Sequence, residues 1–264
     1  MERISSRQNP IVKRFKALAE APDDHVLLDG AHLLEEALAA GLAVDVVAVR
    51  DGGDAGPLAA LARTAAARGA RLLGVTASVL AAISPVRHSS GVVSIARRRT
   101  ILLEAALEHT PQLVLILVDV QDPGNVGAII RVADGCGATG VITSERTADP
   151  FGWKALRGSM GSALRIPVAV RQPLERAVRS AREQGLRVLA AVPRGGIPLQ
   201  RCDLTRPSAV LLGGEGAGIP GPLLELADVR ITIPMRQPVE SLNVATAAAL
   251  ILYEGMRQRE GGAS

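Results

Sequence analysis

Aromatic side chains are nearly missing from this chain: one Trp, one Tyr and two Phe in 264 residues. Its cores must be built from Ala, Leu, Val and Ile, and a stacking platform for single-stranded nucleic acid is disfavoured. Only two cysteines occur, Cys136 and Cys202, far apart and without metal-ligand spacing, and the four histidines are scattered. No zinc or iron site is expected, and a reduced, cytoplasmic setting follows. The longest apolar runs, such as Leu113 to Val118 and Ala247 to Tyr253, are far too short to span a bilayer. The start of the chain, Met1-Glu2-Arg3-Ile4, lacks the apolar core of a signal peptide. Lysine occurs only at positions 13, 16 and 154, so arginine carries most of the positive charge. The formal net charge of +4 mildly favours an anionic partner such as nucleic acid.

What is present is an alternation of apolar strands and amphipathic helices. The stretch from 3 to 20 begins with Ser5, Ser6 and Asn9-Pro10, and the Ile11, Val12, Phe15 and Leu18 that follow have helical spacing. Strands follow at 25–28, 44–49, 71–75 and 91–96, with helices at 31–40, 58–68 and 78–83 between them. This predicts a small α/β/α domain over residues 1–97. Arg97-Arg98-Arg99 reads as part of a solvated linker, 98–110, and the second domain as 111–264. Strands are expected there at 113–118, 141–143, 166–170, 187–192, 209–212 and 229–233. Gly135-Cys136-Gly137-Ala138-Thr139-Gly140 matches a dinucleotide fingerprint in spacing. It follows a helix and opens a strand, the reverse of what that fingerprint needs, and reads as a helix end and turn. Gly213-Gly214-Glu215-Gly216 lacks the Lys-Ser/Thr of a phosphate-binding P-loop.

Three loops carry the polar residues. After the β-branched run Ile231-Thr232-Ile233, two prolines, Pro234 and Pro238, hold the chain out of regular structure. Asn243 is placed to cap a helix, Val244 to Leu252, that is apolar nearly all round and must be buried on most sides. A second loop, Gly213 to Pro220, sets Glu215 in a glycine cluster after a strand. A third, Asp119 to Asn125, precedes a helix carrying Arg131. Asn125 and Arg131 are six apart and do not share a helix face, so their convergence would require Asn125 to lie in the loop, as Pro123 and Gly124 suggest. Strand, polar loop and helix repeated three times put these loops at the carboxyl edge of one sheet, where open α/β sheets bind ligands.

The order Asn125-x-Gly127-x-x-x-Arg131, then Gly214-Glu215-x-x-Gly218, then Ser241-Leu242-Asn243-Val244 resembles the three motifs of the SpoU (TrmH) family of the SPOUT superfamily. That resemblance implies an S-adenosylmethionine-dependent transfer of methyl to a ribose 2′-hydroxyl of RNA, with rRNA ahead of tRNA as substrate. It also implies a trefoil knot, a homodimer, no metal, and an N-terminal RNA substrate-binding domain. The expected catalytic residues are Arg131, Asn125, Glu215, Ser241 and Asn243. The expected cofactor contacts are Gly213, Gly214, Glu215, Gly218, Ile233, Met235, Ser241, Leu242 and Asn243. In the N-terminal part, Asn9-Pro10-x-Val12-Lys13 and Asp29-Gly30 resemble the RNA-binding domain, and Arg87-His88-Ser89-Ser90-Gly91 stands where an RNA-facing loop is expected. Lys13, Arg14, Arg87 and Arg157 are the expected RNA contacts. Trp153 reads as the anchor of a buried loop, or else as a base-stacking residue. Arg131 is poor as a base, since a guanidinium stays protonated, and is better suited to gripping a phosphate and stabilising an alkoxide. A structural salt bridge with Asp134 is its bland alternative. The competing class is a non-catalytic RNA-binding protein of the same fold.

Overall fold

The computed structural model describes residues 1–52, 56–87, 89–99, 101–108 and 112–261. His88, Thr100 and Pro111 therefore lie outside the described residues. The chain divides into two compact units, Met1–Arg99 with Phe151–Leu164, and Thr100–Pro150 with Arg165–Ser264.

The first unit runs β1 (Glu2–Ile4), α1 (Pro10–Glu20), β2 (His25–Asp29), α2 (Ala31–Ala39), β3 (Val44–Arg50), α3 (Pro57–Ala67), β4 (Arg71–Val75), α4 (Ala77–Ile83) and β5 (Val92–Arg97). Its sheet has the order β1-β4-β3-β5-β2, with β5 antiparallel to both neighbours. Phe15 and Leu18 of α1 and Leu80 and Ile83 of α4 pack on Leu27, Val46, Ala48 and Ile95. The alternate strand positions, among them Val26, Leu28, Val47 and Val92, face the other way and are buried too. The helical spacing read within 3–20 is that of α1, which starts at Pro10. Asn9 caps it by accepting from the Ile11 amide at 3.0 Å, and proline suits the first helical position. Glu2–Ile4 instead adds a strand beside β4. The arginine triplet expected as solvated linker is tied to this unit. Arg97 lies 3.5 Å from Asp45, Arg98 stacks 5.5 Å from the Phe151 ring centroid, and Arg99 donates to the Ala40 carbonyl at 3.1 Å.

The second unit holds α5 (Leu103–Leu107), β6 (Leu113–Val118), α6 (Pro123–Gly135) and β7 (Gly140–Thr143). The chain then passes through α7 (Trp153–Gly158), which belongs to the first unit. It continues in the second with β8 (Val168–Ala169), α8 (Leu174–Glu183), β9 (Arg187–Ala191), β10 (Ile197–Pro198), β11 (Ser208–Gly213), α9 (Gly221–Glu225), β12 (Val229–Thr232) and α10 (Val244–Gly261). The sheet is parallel throughout, in the order β10-β12-β9-β11-β6-β7-β8. A parallel sheet is covered on both faces, and every residue of β6 is buried. The stretch 98–110, read as linker, contains α5, whose Leu103, Ala106 and Leu107 join this core. From β6 the chain moves outward to β7 and β8, and from β11 outward to β12 on the opposite side. The β6–β11 boundary is thus the switch point, where loops diverge and leave a crevice.

Candidate active site

The three polar loops meet at that crevice, and one side chain joins them. Asn243 caps α10: its Oδ1 accepts from the amides of Ala245 at 2.9 Å and Thr246 at 3.2 Å. That fixes its other end as the donor, and Nδ2 donates to Oδ1 of Asn125 at 3.1 Å. Asn125 Nδ2 in turn donates to the Glu215 carboxylate. Each donor and acceptor in the chain Asn243–Asn125–Glu215 is assigned by the one before it.

Asn125 does not lie in the loop before α6. It sits in the first turn, with Asp122 as the cap, accepting from the Asn125 amide at 2.8 Å, and Pro123 at the first helical position. Proline there starts a helix because its missing N–H has no helical partner to lose. Arg131 consequently lies about 9 Å further along the same axis and about 120° around it. It is exposed, and among the described residues it has no hydrogen-bond or ion-pair partner. The alternative partner, Asp134, is held by Arg165 at 2.6 Å.

Beside the network opens a cavity of about 820 Å³. Gly213, Gly214, Glu215, Gly218, Ile233, Met235, Ser241, Leu242 and Asn243 all line it, whereas Asn125 and Arg131 do not. Its wall also includes Ala191, Val192 and Pro193, where the chain leaves β9. Those three were missed from sequence, although the strand-end rule that located the other loops applies to β9 as well. The wall is mainly apolar, with backbone laid bare at the glycines. A Cβ on Gly213 would come within 2.5 Å of the Gly218 backbone, and one on Gly214 within 2.1 Å of the Asp119 carbonyl oxygen. Only glycine allows β11 and its loop to pass so close to β6. Asp119 has a left-handed backbone, φ 53°, and is held by Ser144, whose hydroxyl accepts from its amide at 3.0 Å and donates to its carboxylate at 2.8 Å. An apolar slot edged by backbone polar groups fits a nucleoside-bearing cofactor such as S-adenosylmethionine.

The expected RNA contacts lie in the first unit and differ in availability. Lys13, Arg87 and Arg157 are exposed. Arg14 is engaged, donating twice to Asp23 at 2.6 and 3.1 Å. Arg157 is near Asp29, whose carboxyl is pushed up by burial against the opposing pull of the Ser84 hydroxyl and of Arg157. Phe151, at 4% exposure, is the buried anchor of its loop; Trp153 is half-buried, with the Lys154 ammonium 5.6 Å from its ring. Among the described residues there is no group of three or more His, Cys, Asp or Glu suited to a metal ion, and no helix is long and apolar enough to cross a membrane.

The close approach at Gly214 gives a direct test of the cavity. Gly214→Ala should destabilise the protein by about 1–3 kcal/mol through overpacking and remove S-adenosylmethionine binding measured by calorimetry. Gly221→Ala, where a Cβ would meet nothing within 4 Å, should leave both melting temperature and binding unchanged.

The profile of the SpoU rRNA Methylase family matches residues 112–253. Over 97% of this chain and 94% of its own length, a Synechocystis sp. protein named an uncharacterized tRNA/rRNA methyltransferase is 35% identical. The 23S rRNA (guanosine(2553)-2′-O)-methyltransferase RlmP of Bacillus subtilis is 32% identical over 96% of this chain and 98% of its own. Among solved structures, the AdoMet-bound rRNA methyltransferase of Sinorhizobium meliloti superposes with a TM-score of 0.87 at 31% identity, covering 97% of each chain. The SpoU methyltransferase AviRb of Streptomyces viridochromogenes, also in complex with AdoMet, gives 0.84 at 26% identity over 96% of this chain and 99% of that one. With a profile match over more than half its length and relatives aligned almost end to end, this chain belongs to the SpoU rRNA methylase family, and it is an S-adenosylmethionine-dependent RNA methyltransferase.

Proposed function

We propose that the protein methylates a ribose 2′-hydroxyl of ribosomal RNA, in the cytoplasm. The observation that carries this reading is the Asn243–Asn125–Glu215 network set against the glycine-edged cavity. S-adenosylmethionine, when bound, supplies a methyl group on a sulfonium, which needs an aligned nucleophile more than acid–base power. Asn125 and Glu215 orient polar contacts at the cavity edge, and the Ser241 hydroxyl, exposed on the cavity wall, places the ribose. Arg131 lies outside the cofactor cavity and has no partner among the described residues, which suits a group reserved for RNA. It grips the phosphate beside the target ribose and stabilises the developing alkoxide. RlmP, the B. subtilis relative, is named for 2′-O transfer to 23S rRNA. The trefoil knot belongs to this reading as what the family resemblance implies.

The first unit is assigned to RNA affinity and the second to chemistry. Arg50 at the end of β3 and Arg87 after α4 are exposed, and among the described residues neither has a side-chain partner. Their edge of the sheet also carries Ser89 and Ser90, a composition fit for phosphate and sugar oxygens.

A homodimer completes the proposal. Helix α10 buries Val244, Ala248, Ile251, Leu252 and Gly255, yet leaves Leu250 43% and Tyr253 58% exposed, with Val239 48% exposed in the loop before it. Leu250 and Tyr253, three apart, share one face of the helix, and such an exposed apolar pair suits a self-complementary contact.

Arg131→Ala should cut methyl transfer to RNA by about a hundredfold or more. Its melting temperature and S-adenosylmethionine affinity should stay near wild type, and lysine should rescue poorly because it lacks the two-pronged fork. A folded variant that methylates at the normal rate would remove Arg131 from the mechanism. Light scattering at micromolar concentration should give twice the 27.4 kDa chain mass, and Tyr253→Glu should shift it toward one. A wild-type monomer would contradict the dimer.

A further inference from the structure

Two loops flank the mouth of the cofactor cavity, one leaving β9 and one leaving β12. Pro193 on the first and Glu240 on the second both line it. Next to Pro193, the Arg194 guanidinium lies 3.9 Å from the Glu240 carboxylate, with side chains 62% and 85% exposed. Among the described residues neither side chain has another partner. So open a pair contributes little to stability, and no packing explains it. The roots of the two loops are joined, however. Gly196 donates its amide to Thr232 Oγ1 at 2.9 Å, and a Cβ on Gly196 would come within 2.7 Å of the Ile231 backbone. The opposite charges at the mouth are thus carried on loops that share one anchor on β12.

Among the described residues no lysine or arginine lines the cavity. Of its two carboxylates, Glu215 is committed to Asn125, which leaves Glu240 at the rim. S-adenosylmethionine combines a neutral adenosine, suited to the apolar slot, with an amino-acid tail bearing an α-carboxylate and an α-ammonium. We propose that Arg194 and Glu240 form the receptor for that tail. The proposal rests on the cavity being the cofactor site. Without ligand the two side chains face each other. With it, the guanidinium takes the α-carboxylate, for which its planar fork is matched, and the Glu240 carboxylate takes the α-ammonium. One ion pair is exchanged for two, with no charge left over, and no covalent step is involved.

The test is calorimetry on the full chain with two ligands. S-adenosylhomocysteine keeps the tail, and 5′-methylthioadenosine keeps the adenosine and sulfur but has no tail. Arg194→Ala and Glu240→Gln should each weaken S-adenosylhomocysteine by about tenfold, the usual scale for losing one hydrogen-bonded charge, and leave 5′-methylthioadenosine binding unchanged. Arg194→Lys should keep part of the affinity. Equal weakening of both ligands, with or without a lowered melting temperature, would mean that the loop is structural, and would overturn the proposal. Unchanged binding of S-adenosylhomocysteine would overturn it too. Wild-type protein that binds neither ligand would refute the cofactor site itself, and the tail receptor with it.

Discussion

The reactive end of the second unit depends on the carboxamide of Asn125. Its oxygen accepts from Asn243, at the start of α10, and its nitrogen donates to Glu215, in the glycine loop after β11. Asn125 lies 118 residues before the first of these partners and 90 before the second, so distant parts of the chain are registered to one another through it. Each such hydrogen bond contributes only about 1 kcal/mol net to stability. The network therefore matters less for holding the unit together than for fixing which way each polar group points. Because Asn243 also caps α10, its orientation follows from the helix, and the direction of every later donor follows from Asn243.

That registration is possible because backbone approaches backbone at the switch point of the sheet. β11 runs beside β6 in parallel register from Ser208 opposite Leu113 to Gly213 opposite Val118. Beyond that pair the Gly214 amide still donates to the Val118 carbonyl at 2.7 Å. The loop carrying Glu215 is pressed against Asp119, and the glycines leave a slot where side chains would otherwise stand. The apolar strands supply the stability, and the loops, relieved of that task, remain open and polar.

Much of this was legible in the sequence, for physical reasons that differ by element. Buried parallel strands such as β6 and β11 read as continuous apolar runs, and their limits were set nearly to the residue. Asn243 was readable as a cap because it directly precedes a long apolar helix. Short elements escaped: β10 has two residues and α9 five, too few for a period to show. Asn125 was misplaced because Pro123-Gly124 was taken as loop, whereas proline after an Asp cap begins a helix. The fate of Asp134 was invisible because its partner Arg165 lies 31 residues away in sequence and beside it in space. The partners of the arginine triplet, Asp45, Ala40 and Phe151, were invisible for the same reason, being distant along the chain.

The central claim is that this site delivers methyl to a ribose oxygen of ribosomal RNA. The most direct measurement is to incubate ribosomal RNA from cells lacking the protein with the purified enzyme and methyl-labelled S-adenosylmethionine, then hydrolyse the RNA in alkali. A methyl on the 2′-oxygen blocks cleavage of the adjoining phosphodiester, so the label should be found in alkali-resistant dinucleotides. Label recovered only in mononucleotides, as a methyl on a base would give, would contradict the account.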